Sequence, residues 1–231
     1  MAEIVYLDSP LESEALFERL CPPVRQWFKD KFPDFTPPQK LAIPAIMDQQ
    51  HLLLCSPTGS GKTLTAFLTV IDQLVRLALE RKLEKKVHAI YISPIKALAN
   101  DIQRNLIGPL NEITEHYLPD RAQEIRVGLR TGDTSQSDRQ KMLRNPPHIL
   151  ITTPESLAIA ITSPRFQPIV SEVEYMIIDE LHSMVSTKRG VHLSLTLSLL
   201  DSLLKNPVQR IRISATMEPL QTLAEYLVSS D

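Results

Sequence analysis

The residues with the clearest chemical potential form the octapeptide SPTGSGKT, which begins at Ser56. Gly59 and Gly61 allow the backbone to curl, so that successive N–H groups can point at anionic oxygens. Lys62 would bring a positive charge to the β- and γ-phosphates of a nucleotide, and Thr63 would offer its hydroxyl to magnesium. The octapeptide predicts a phosphate-binding loop of the Walker A type, although serine stands first where the general pattern has glycine. The predicted cofactor-binding set in this loop is Ser56, Pro57, Thr58, Gly59, Ser60, Gly61, Lys62 and Thr63.

A second group of chemically capable residues lies in MIIDELH, an apolar run from Met176 that ends in two acids. Asp179 would face the magnesium ion held by Thr63, and Glu180 would orient or deprotonate the attacking water. Two acids at a strand end are common on protein surfaces, and a glycine-containing turn can exist without a ligand. Together, however, the motifs predict a site for a nucleoside triphosphate. Its catalytic residues would be Lys62, Asp179 and Glu180, and its magnesium ligands Thr63 and Asp179.

These motifs need elements that position them, and the sequence alternates short apolar runs with helical stretches. Strands are predicted at residues 51–55, 87–93, 125–130, 148–153, 173–179 and 212–215, the last with a lead-in. Helices are predicted near residues 62–83, 95–107, 135–144, 154–162 and 191–204. Continuous apolar strands separated by helices favour a parallel sheet that is covered on both faces. We therefore predict an α/β protein with a doubly wound, mostly parallel sheet and helices on both of its faces.

The N-terminal part of the chain is predicted to be helical. A capping residue, an early proline and early acids predict a helix in Asp8–Leu20. A second short helix is predicted in VRQWFKDKF, from Val24. The proline-broken stretch Phe32–Gln39 is predicted to be a loop, and the helix after it to be bent or started by Pro44. We therefore divide the chain into a helical lead-in with a glutamine loop (1–40) and one globular domain (41–231).

Composition limits the classes of protein that fit. The chain has 231 residues, 43% of them hydrophobic and 23% charged, as in an ordinary globular protein. Its net charge of −2 provides no global attraction to nucleic acid, so such binding would need local basic clusters. Two cysteines are too few for a zinc site or a disulfide framework. The longest apolar runs are the length of strands and the first residues lack a signal-peptide core, so we expect a cytoplasmic protein.

Further motifs follow the predicted strands at the edge where open α/β sheets bind ligands. They read YISPIKALAND, RTGDT, TTPESL and SAT, and TPPQ precedes the first strand. Together with the phosphate loop and DELH, this set resembles the first RecA-like domain of superfamily 2 helicases, from about Trp27 to Tyr226. DELH stands where DEAD-box helicases have Asp-Glu-Ala-Asp. With KRGVHL after it, the chain is most similar to the Lhr (large helicase-related) branch, close to the Ski-type helicases.

The resemblance implies a RecA-like P-loop NTPase domain that uses ATP and Mg²⁺. Gln39 matches the family's adenine-reading glutamine and Phe32 its aromatic near the base, although a loop glutamine and a core phenylalanine are the alternatives. The residues implied to couple phosphate state to strand movement are His182, Ser214 and Thr216. The residues implied to contact the nucleic-acid backbone are Pro94, Lys96, Arg130, Thr131, Gly132, Thr153 and Glu155. Lys188 and Arg189 are further basic candidates, with a solvated surface role as the alternative.

The family's second RecA-like domain, with the arginines that reach the γ-phosphate, has no counterpart in these residues. We therefore expect Mg-ATP binding with slow hydrolysis and no unwinding by this chain. The implied partners are single-stranded or duplex DNA, or an RNA–DNA hybrid, and a second RecA-like domain in a longer protein or a separate chain. One alternative is a non-catalytic module that binds ATP and nucleic acid, or a subunit of a split helicase. Another is an unrelated P-loop kinase or transporter ATPase, which would need neither Gln39 nor SAT.

Overall fold

The structure of the chain, a computed structural model, describes residues 4–57, 59–94, 101–120, 122–184 and 187–215. The chain divides into two compact units. The loop unit comprises Leu7–Glu84 and Lys96–Ile125, and the sheet unit comprises Met1–Tyr6, Lys85–Ile95 and Arg126–Asp231. From residue 7 onward, the predicted lead-in therefore belongs to the same unit as the predicted phosphate loop. The division at residue 40 stays a prediction.

The loop unit is mainly helical. Its elements are α1 (Ser13–Arg19), α2 (Pro22–Lys31), α3 (Pro37–Met47), β1 (Leu52–Cys55), α4 (Lys62–Leu79), a π-helical segment (Gln103–Ile107) and α5 (Gly108–His116). Helix α4 is apolar on most of its circumference and buries most of its residues, which makes it the central helix of this unit. Phe28 and Phe35 stack with ring centroids 4.2 Å apart, and Phe17 packs 4.6 Å from Phe35. These aromatic contacts join the first two helices to the segment that leads into α3.

A buried carboxylate fixes the junction of α1 and α2 to α4. Asp72 accepts hydrogen bonds from the backbone N–H of Cys21 (2.6 Å) and from Nε of Arg76 (2.7 Å). Arg76 also donates from Nη2 to the Arg19 carbonyl (2.5 Å). The carbonyl at the end of α1 and the first N–H groups of α2 would otherwise lack helical partners. Asp72 therefore holds the helix junction and neutralises the arginine that completes it.

The sheet unit contains the remaining strands. Its elements are β2 (Ala89–Ile92), β3 (Val127–Arg130), α6 (Gln136–Arg144), β4 (Ile149–Thr152), α7 (Pro154–Ile161), α8 (Gln167–Val170), β5 (Tyr175–Ile178), a 3₁₀ turn (Leu181–Ser183), α9 (Lys188–Leu203) and β6 (Gln209–Ser214). The strands of this unit pair in parallel in the order β6-β5-β2-β4-β3. Ile90 of β2 lies opposite Leu150 of β4 and Met176 of β5. All residues of β2, β4 and β5 are buried, so both faces of these strands are covered.

Six strands and the helices between them confirm the predicted α/β class. Every predicted strand is present, and the bounds of the first five agree within two residues. Continuous apolar runs predict such strands well because strands buried on both faces have no polar side. None of the helices in the described part of the chain has both the length and the apolar character needed to cross a membrane.

The helix bounds differ more from the prediction. Helix α1 begins at Ser13, three residues after the early proline, and the N–H of Leu11 before it donates to the Lys40 carbonyl (3.1 Å). The predicted loop Phe32–Gln39 is wrong at its end, where α3 begins at Pro37. Pro37 and Pro38 occupy the first helical positions, where proline costs little because those N–H groups lack helical partners. Pro44 lies inside this helix.

Helix α9 has apolar residues on opposite sides. Leu193, Leu197 and Leu200 are buried. Val191, Leu195 and Leu199 recur at intervals of four on the other side and are exposed. Residues 190–200 include no Asp, Glu, Lys or Arg. Between residues 190 and 200, the exposed side of α9 therefore carries three large apolar side chains and no Asp, Glu, Lys or Arg.

Candidate functional site

The predicted phosphate loop connects β1 to α4. Gly59 and Gly61 have φ angles of +82° and +84°, a left-handed conformation that side chains disfavour, so the curl of the loop depends on glycine. Within the loop, the hydroxyls of Ser56 and Ser60 lie 2.6 Å apart, in hydrogen-bonding contact. The N-terminus of the 18-residue α4 follows directly, so its positive dipole end lies at the loop. This backbone is suited to cradle an anion.

Lys62 is held by the same loop. Its Nζ donates to the carbonyl oxygens of Ser56 and Pro57, the latter at 2.7 Å. The side chain is buried, which places a positive charge inside the curl of the loop. Thr63 follows in the first turn of α4 and is half-buried. The loop therefore combines a cation with a hydroxyl, although Thr58 lies outside the described residues.

Gln39 lies in the first turn of α3 and is buried against the phosphate loop. Its Oε1 accepts a hydrogen bond from the N–H of Thr36 (2.9 Å), while the Thr36 hydroxyl donates to the Ser60 carbonyl (3.1 Å). A Cβ at Gly61 would lie only 3.1 Å from Nε2 of Gln39. The predicted base-reading residue and the phosphate loop are thus packed on each other. Sequence reasoning missed Thr36, although it is the first residue of TPPQ and has a typical N-cap type.

Phe32 packs among aromatic side chains. Its ring centroid lies 4.8 Å from that of Phe28 and 5.8 Å from that of Trp27. The side chain is half-buried. These contacts give Phe32 a packing role in the loop unit, which was the alternative to its predicted position near a base.

The acidic motif follows β5 in the sheet unit. Asp179 is buried and accepts a hydrogen bond at each carboxylate oxygen. The Tyr91 hydroxyl donates to Oδ2 (2.6 Å), and the N–H of Glu180 donates to Oδ1 (2.7 Å). Glu180 has a φ of +53°, which is uncommon for a residue with a side chain. The carboxylate of Asp179 therefore supports a strained turn that presents Glu180.

His182 connects the acidic motif to the end of β6. Its Nδ1 accepts a hydrogen bond from the N–H of Ala215 (3.1 Å), and the Ser214 hydroxyl lies 3.3 Å from the same nitrogen. Because a backbone N–H only donates, Nδ1 carries no proton in this arrangement. The proton of the neutral ring is then on Nε2, which lies 3.1 Å from Oε2 of Glu180. The structure thus brings Glu180, His182 and Ser214 together, whereas Thr216 lies outside the described residues.

The predicted nucleic-acid residues after β3 have unequal access to solvent. Arg130 is only 9% exposed, and its guanidinium lies 4.7 Å from the ring centroid of Phe166. Burial, and then the charge of Arg139, lowers the pKa of Arg130. This burial counts against direct contact with a ligand. The carbonyls of Thr131 and Gly132, by contrast, accept hydrogen bonds from Arg139 (3.3 and 3.2 Å), which shapes an exposed turn.

A second predicted nucleic-acid loop follows β4. The Thr153 hydroxyl caps α7 by accepting from the N–H of Ser156 (3.3 Å). Glu155 does not stand alone, because its Oε1 accepts a hydrogen bond from Nε of Arg189 (2.7 Å). Arg189 also donates to the carbonyl of Pro94, after β2 (2.8 Å). Lys96, the remaining predicted contact, lies outside the described residues.

The donor chemistry of the predicted metal ligands fits magnesium. Thr63 offers a hydroxyl oxygen and Asp179 offers carboxylate oxygens, the hard ligands that Mg²⁺ prefers. No group of three or more His, Cys, Asp or Glu residues that could hold a metal occurs within residues 4–215 as far as they are described. A magnesium ion that keeps water and phosphate oxygens in its coordination sphere needs only a small number of protein ligands.

Comparison with known proteins gives concordant matches. A family model described as DEAD/DEAH box helicase matches residues 36–224. The chain is 48% identical to the ATP-dependent helicase Lhr-Core of Methanocaldococcus jannaschii, over 100% of this chain and 27% of that protein. The structure of Mycobacterium smegmatis helicase Lhr bound to ssDNA and AMP-PNP matches with a TM-score of 0.80 and 44% identity, over 90% of this chain and 26% of that one.

A more distant match supports the fold alone. The DEAD-box helicase Mss116, bound to ssRNA and UDP-BeF, matches with a TM-score of 0.76 at 21% identity, over 96% of this chain and 45% of that one. Both solved structures have the RecA-like domain fold that the sequence predicts. The chain spans about a quarter of the length of the curated relatives it matches.

Proposed function

Since the chain belongs to the DEAD/DEAH box helicase family and is homologous to Lhr-type helicases, we propose that it is an ATP-binding helicase domain that binds Mg-ATP and single-stranded nucleic acid. The observation that carries the proposal is the packing of Gln39 on the phosphate loop at Gly61. A generic P-loop kinase or transporter ATPase has no need of a base-reading glutamine beside its phosphate loop. That contact therefore favours the helicase function over those classes.

In this proposal the chain binds the nucleotide through three kinds of group. Gln39 donates from its amide to the purine edge, since its Oε1 is already engaged by Thr36. The loop N–H groups and Lys62 bind the β- and γ-phosphates, as in other P-loop proteins. Thr63 and Asp179 are the proposed protein ligands of Mg²⁺, whose charge would help to neutralise the phosphates. Glu180 holds and deprotonates the attacking water.

The proposed nucleic-acid ligand is a single strand of DNA. The Lhr structure from Mycobacterium smegmatis holds ssDNA and AMP-PNP, and it is 44% identical to this chain. The loops after β3 and β4 would contact the phosphate backbone, which positions a strand without reading its bases. Duplex DNA and RNA–DNA hybrids are the further partners to be tested.

We also propose that unwinding requires a second RecA-like domain. The matched relatives are about four times as long as this chain, which leaves room for such a domain. An arginine supplied to the transferred phosphoryl group is worth about 10³–10⁵-fold in rate in related enzymes. The chain alone should therefore bind ATP and hydrolyse it slowly.

A nucleotide-binding titration tests the proposal. The affinity of a fluorescent ATP analogue is measured with Mg²⁺ for the unaltered chain, Lys62→Ala and Glu180→Gln. Lys62→Ala should remove binding, while Glu180→Gln should retain binding and lose residual hydrolysis. Lys82→Ala is the matched control, because this exposed lysine pairs with Glu80 beyond the end of α4. Unchanged affinity in Lys62→Ala would contradict the assignment of the loop.

The second candidate is a non-catalytic module that binds ATP and nucleic acid. The acid Glu180 and its contact with His182 favour catalysis over this candidate. Turnover measured with and without single-stranded DNA, in the presence of the rest of a longer protein, separates the two. Sustained hydrolysis that Glu180→Gln removes would support the enzyme, and nucleotide binding without hydrolysis would support the module.

A further inference from the structure

Arg189, at the start of α9, holds two segments that follow different strands of the sheet unit. Its Nε donates to Glu155 in the first turn of α7 (2.7 Å), and its Nη2 donates to the carbonyl of Pro94 (2.8 Å). Pro94 follows β2 and Glu155 follows β4, and these two strands are adjacent and parallel. Arg189 therefore lies at the carboxyl edge of the sheet, between two loops that the helicase resemblance implies contact nucleic acid.

The ion pair changes the role that fits Glu155. Burial acts to raise the pKa of Glu155, but the hydrogen bond and charge of Arg189, together with its own backbone N–H and the Thr153 side chain, outweigh burial and lower that pKa. The carboxylate is therefore ionised at neutral pH. An ionised carboxylate would repel a phosphate at close range. Glu155 is suited to hold Arg189, and poorly suited to touch a nucleic-acid backbone itself.

Arg189 keeps donors for a ligand after these bonds are made. A guanidinium has five N–H groups, and the bonds to Glu155 and Pro94 use two of them. The Arg189 side chain is 46% exposed, so the remaining N–H groups can reach a ligand from solvent. Arginine held at two points is preorganised, so it loses little side-chain entropy when it binds a phosphate.

We propose that Arg189 binds a backbone phosphate of single-stranded nucleic acid, and that Glu155 is a positioning residue that orients Arg189 without touching the strand. The proposal rests on the proposed function, because it requires that this edge of the sheet binds nucleic acid. It replaces the predicted direct contact by Glu155 with an indirect one. The carbonyl of Pro94 is the second point that fixes the guanidinium.

The test is the binding of a fluorescent oligodeoxythymidine to the chain, measured by anisotropy at several sodium chloride concentrations. Arg189→Ala should weaken binding about 5-fold or more. It should also reduce the slope of log K against log salt concentration by about 0.7, the value for one phosphate contact on a single strand. Arg189→Lys keeps the positive charge but lacks the planar set of guanidinium N–H donors. It should therefore weaken binding while retaining more of the salt slope than Arg189→Ala does.

Glu155→Ala separates orientation from charge. This change makes the chain more positive, so an effect of charge alone would strengthen binding to a polyanion. If Glu155 orients Arg189, the same change should weaken binding several-fold. Glu155→Gln keeps an acceptor oxygen for Nε of Arg189 and should bind nearly as well as the unaltered chain. Stronger binding by Glu155→Ala would overturn the positioning role.

A matched ion pair at the other edge of the sheet provides the controls. Lys205 pairs with Glu172 (2.6 Å). Glu172 precedes β5 and Lys205 precedes β6, whereas Pro94 and Glu155 follow β2 and β4. Lys205→Ala and Glu172→Ala should leave affinity within about 2-fold. If the unaltered chain and both controls bind and Arg189→Ala binds equally well, only the role of Arg189 is overturned. If the unaltered chain fails to bind the oligonucleotide, the nucleic-acid part of the proposed function is overturned as well.

Discussion

The hydroxyl of Tyr91 donates a 2.6 Å hydrogen bond to Oδ2 of Asp179, from one strand of the sheet to the end of its neighbour. Tyr91 lies opposite Ile177 in the parallel pairing of β2 with β5, so its side chain can reach the residue that follows β5. Tyr91 is fully buried. The hydroxyl therefore fixes the orientation of the proposed magnesium ligand from inside the sheet.

We predict that Tyr91→Phe weakens the response to magnesium. Removal of a partner that orients a metal ligand typically costs about 10–100-fold in metal affinity. The magnesium concentration that half-saturates nucleotide binding should rise about 10-fold, as measured with a fluorescent ATP analogue. Tyr117→Phe is the control, because that exposed hydroxyl donates to Asp30 in the loop unit. A magnesium response identical to that of the unaltered chain would remove Tyr91 from this role.

We predict that His182→Ala uncouples the two ligands without removing either. His182 links Glu180 to the backbone at Ala215, after β6. Nucleotide and oligonucleotide should each bind this variant within about 3-fold of their normal affinity. The ratio of oligonucleotide affinities with and without nucleotide, which measures the coupling free energy, should approach one. His192→Ala, an exposed histidine on α9, should retain the normal ratio; a normal ratio in His182→Ala would contradict the prediction.

We predict that Asp72→Ala destabilises the loop unit. The change leaves the N–H of Cys21 and the guanidinium of Arg76 without their acceptor in a buried helix junction. Since Arg76 is partly exposed, the loss should be about 2–3 kcal/mol, below the full cost of breaking a buried pair. Urea denaturation measures it. Asp48→Ala removes an exposed pair with Arg19 and should cost under about 1 kcal/mol.

We predict that acid destabilises the sheet unit through His148. Burial, followed by the charges of Arg126 and His88, lowers the pKa of His148 to about 3. Its Nδ1 accepts from the N–H of Arg126 (2.9 Å), which a protonated nitrogen could not do. In the unfolded chain the pKa of His148 is near 6.5. Between that value and its lower pKa in the folded chain, the unfolded chain therefore binds more protons than the folded chain. Stability is therefore lost as the pH falls below about 6.5.

The expected loss between pH 7.5 and pH 5 is about 2 kcal/mol from this group. Urea denaturation at the two pH values measures it, and His148→Gln should remove most of the difference. Glu174 also has a lowered pKa, because bonds from His88 and Lys86 outweigh its burial. A carboxylate whose pKa is lowered in the folded chain loses its contribution to stability only at lower pH, where it becomes protonated. An equal pH dependence in His148→Gln would assign the effect to other groups.

The sequence predicted those parts of the site that depend on consecutive residues. The phosphate loop is local, because Gly59, Gly61 and Lys62 act through the backbone of one turn. The pairs Tyr91–Asp179 and Glu155–Arg189 join residues 88 and 34 positions apart, so they depend on strand register and helix packing. No spacing rule within one element reveals such pairs.

Proline explains the main local error. Pro37 and Pro38 indicate a loop when they are interpreted as helix breakers, yet at the first two helical positions they favour a helix. Gln39 consequently lies on α3, with its Oε1 bonded to Thr36. The prediction identified the residue but placed it in the wrong kind of element, because proline has opposite effects at the start and in the middle of a helix.

We expect the exposed apolar residues of α9 to influence how this chain behaves at high concentration. Val191, Leu195 and Leu199 offer water an apolar surface, and no residue from 190 to 200 is an Asp, Glu, Lys or Arg that would keep two molecules apart there. Self-association through this face would release water and involve little charge, so sodium chloride would scarcely reverse it. Ammonium sulfate, which strengthens apolar burial, would promote it. A single Leu195→Glu substitution should therefore raise the solubility of the chain, and the gain should be largest in sulfate.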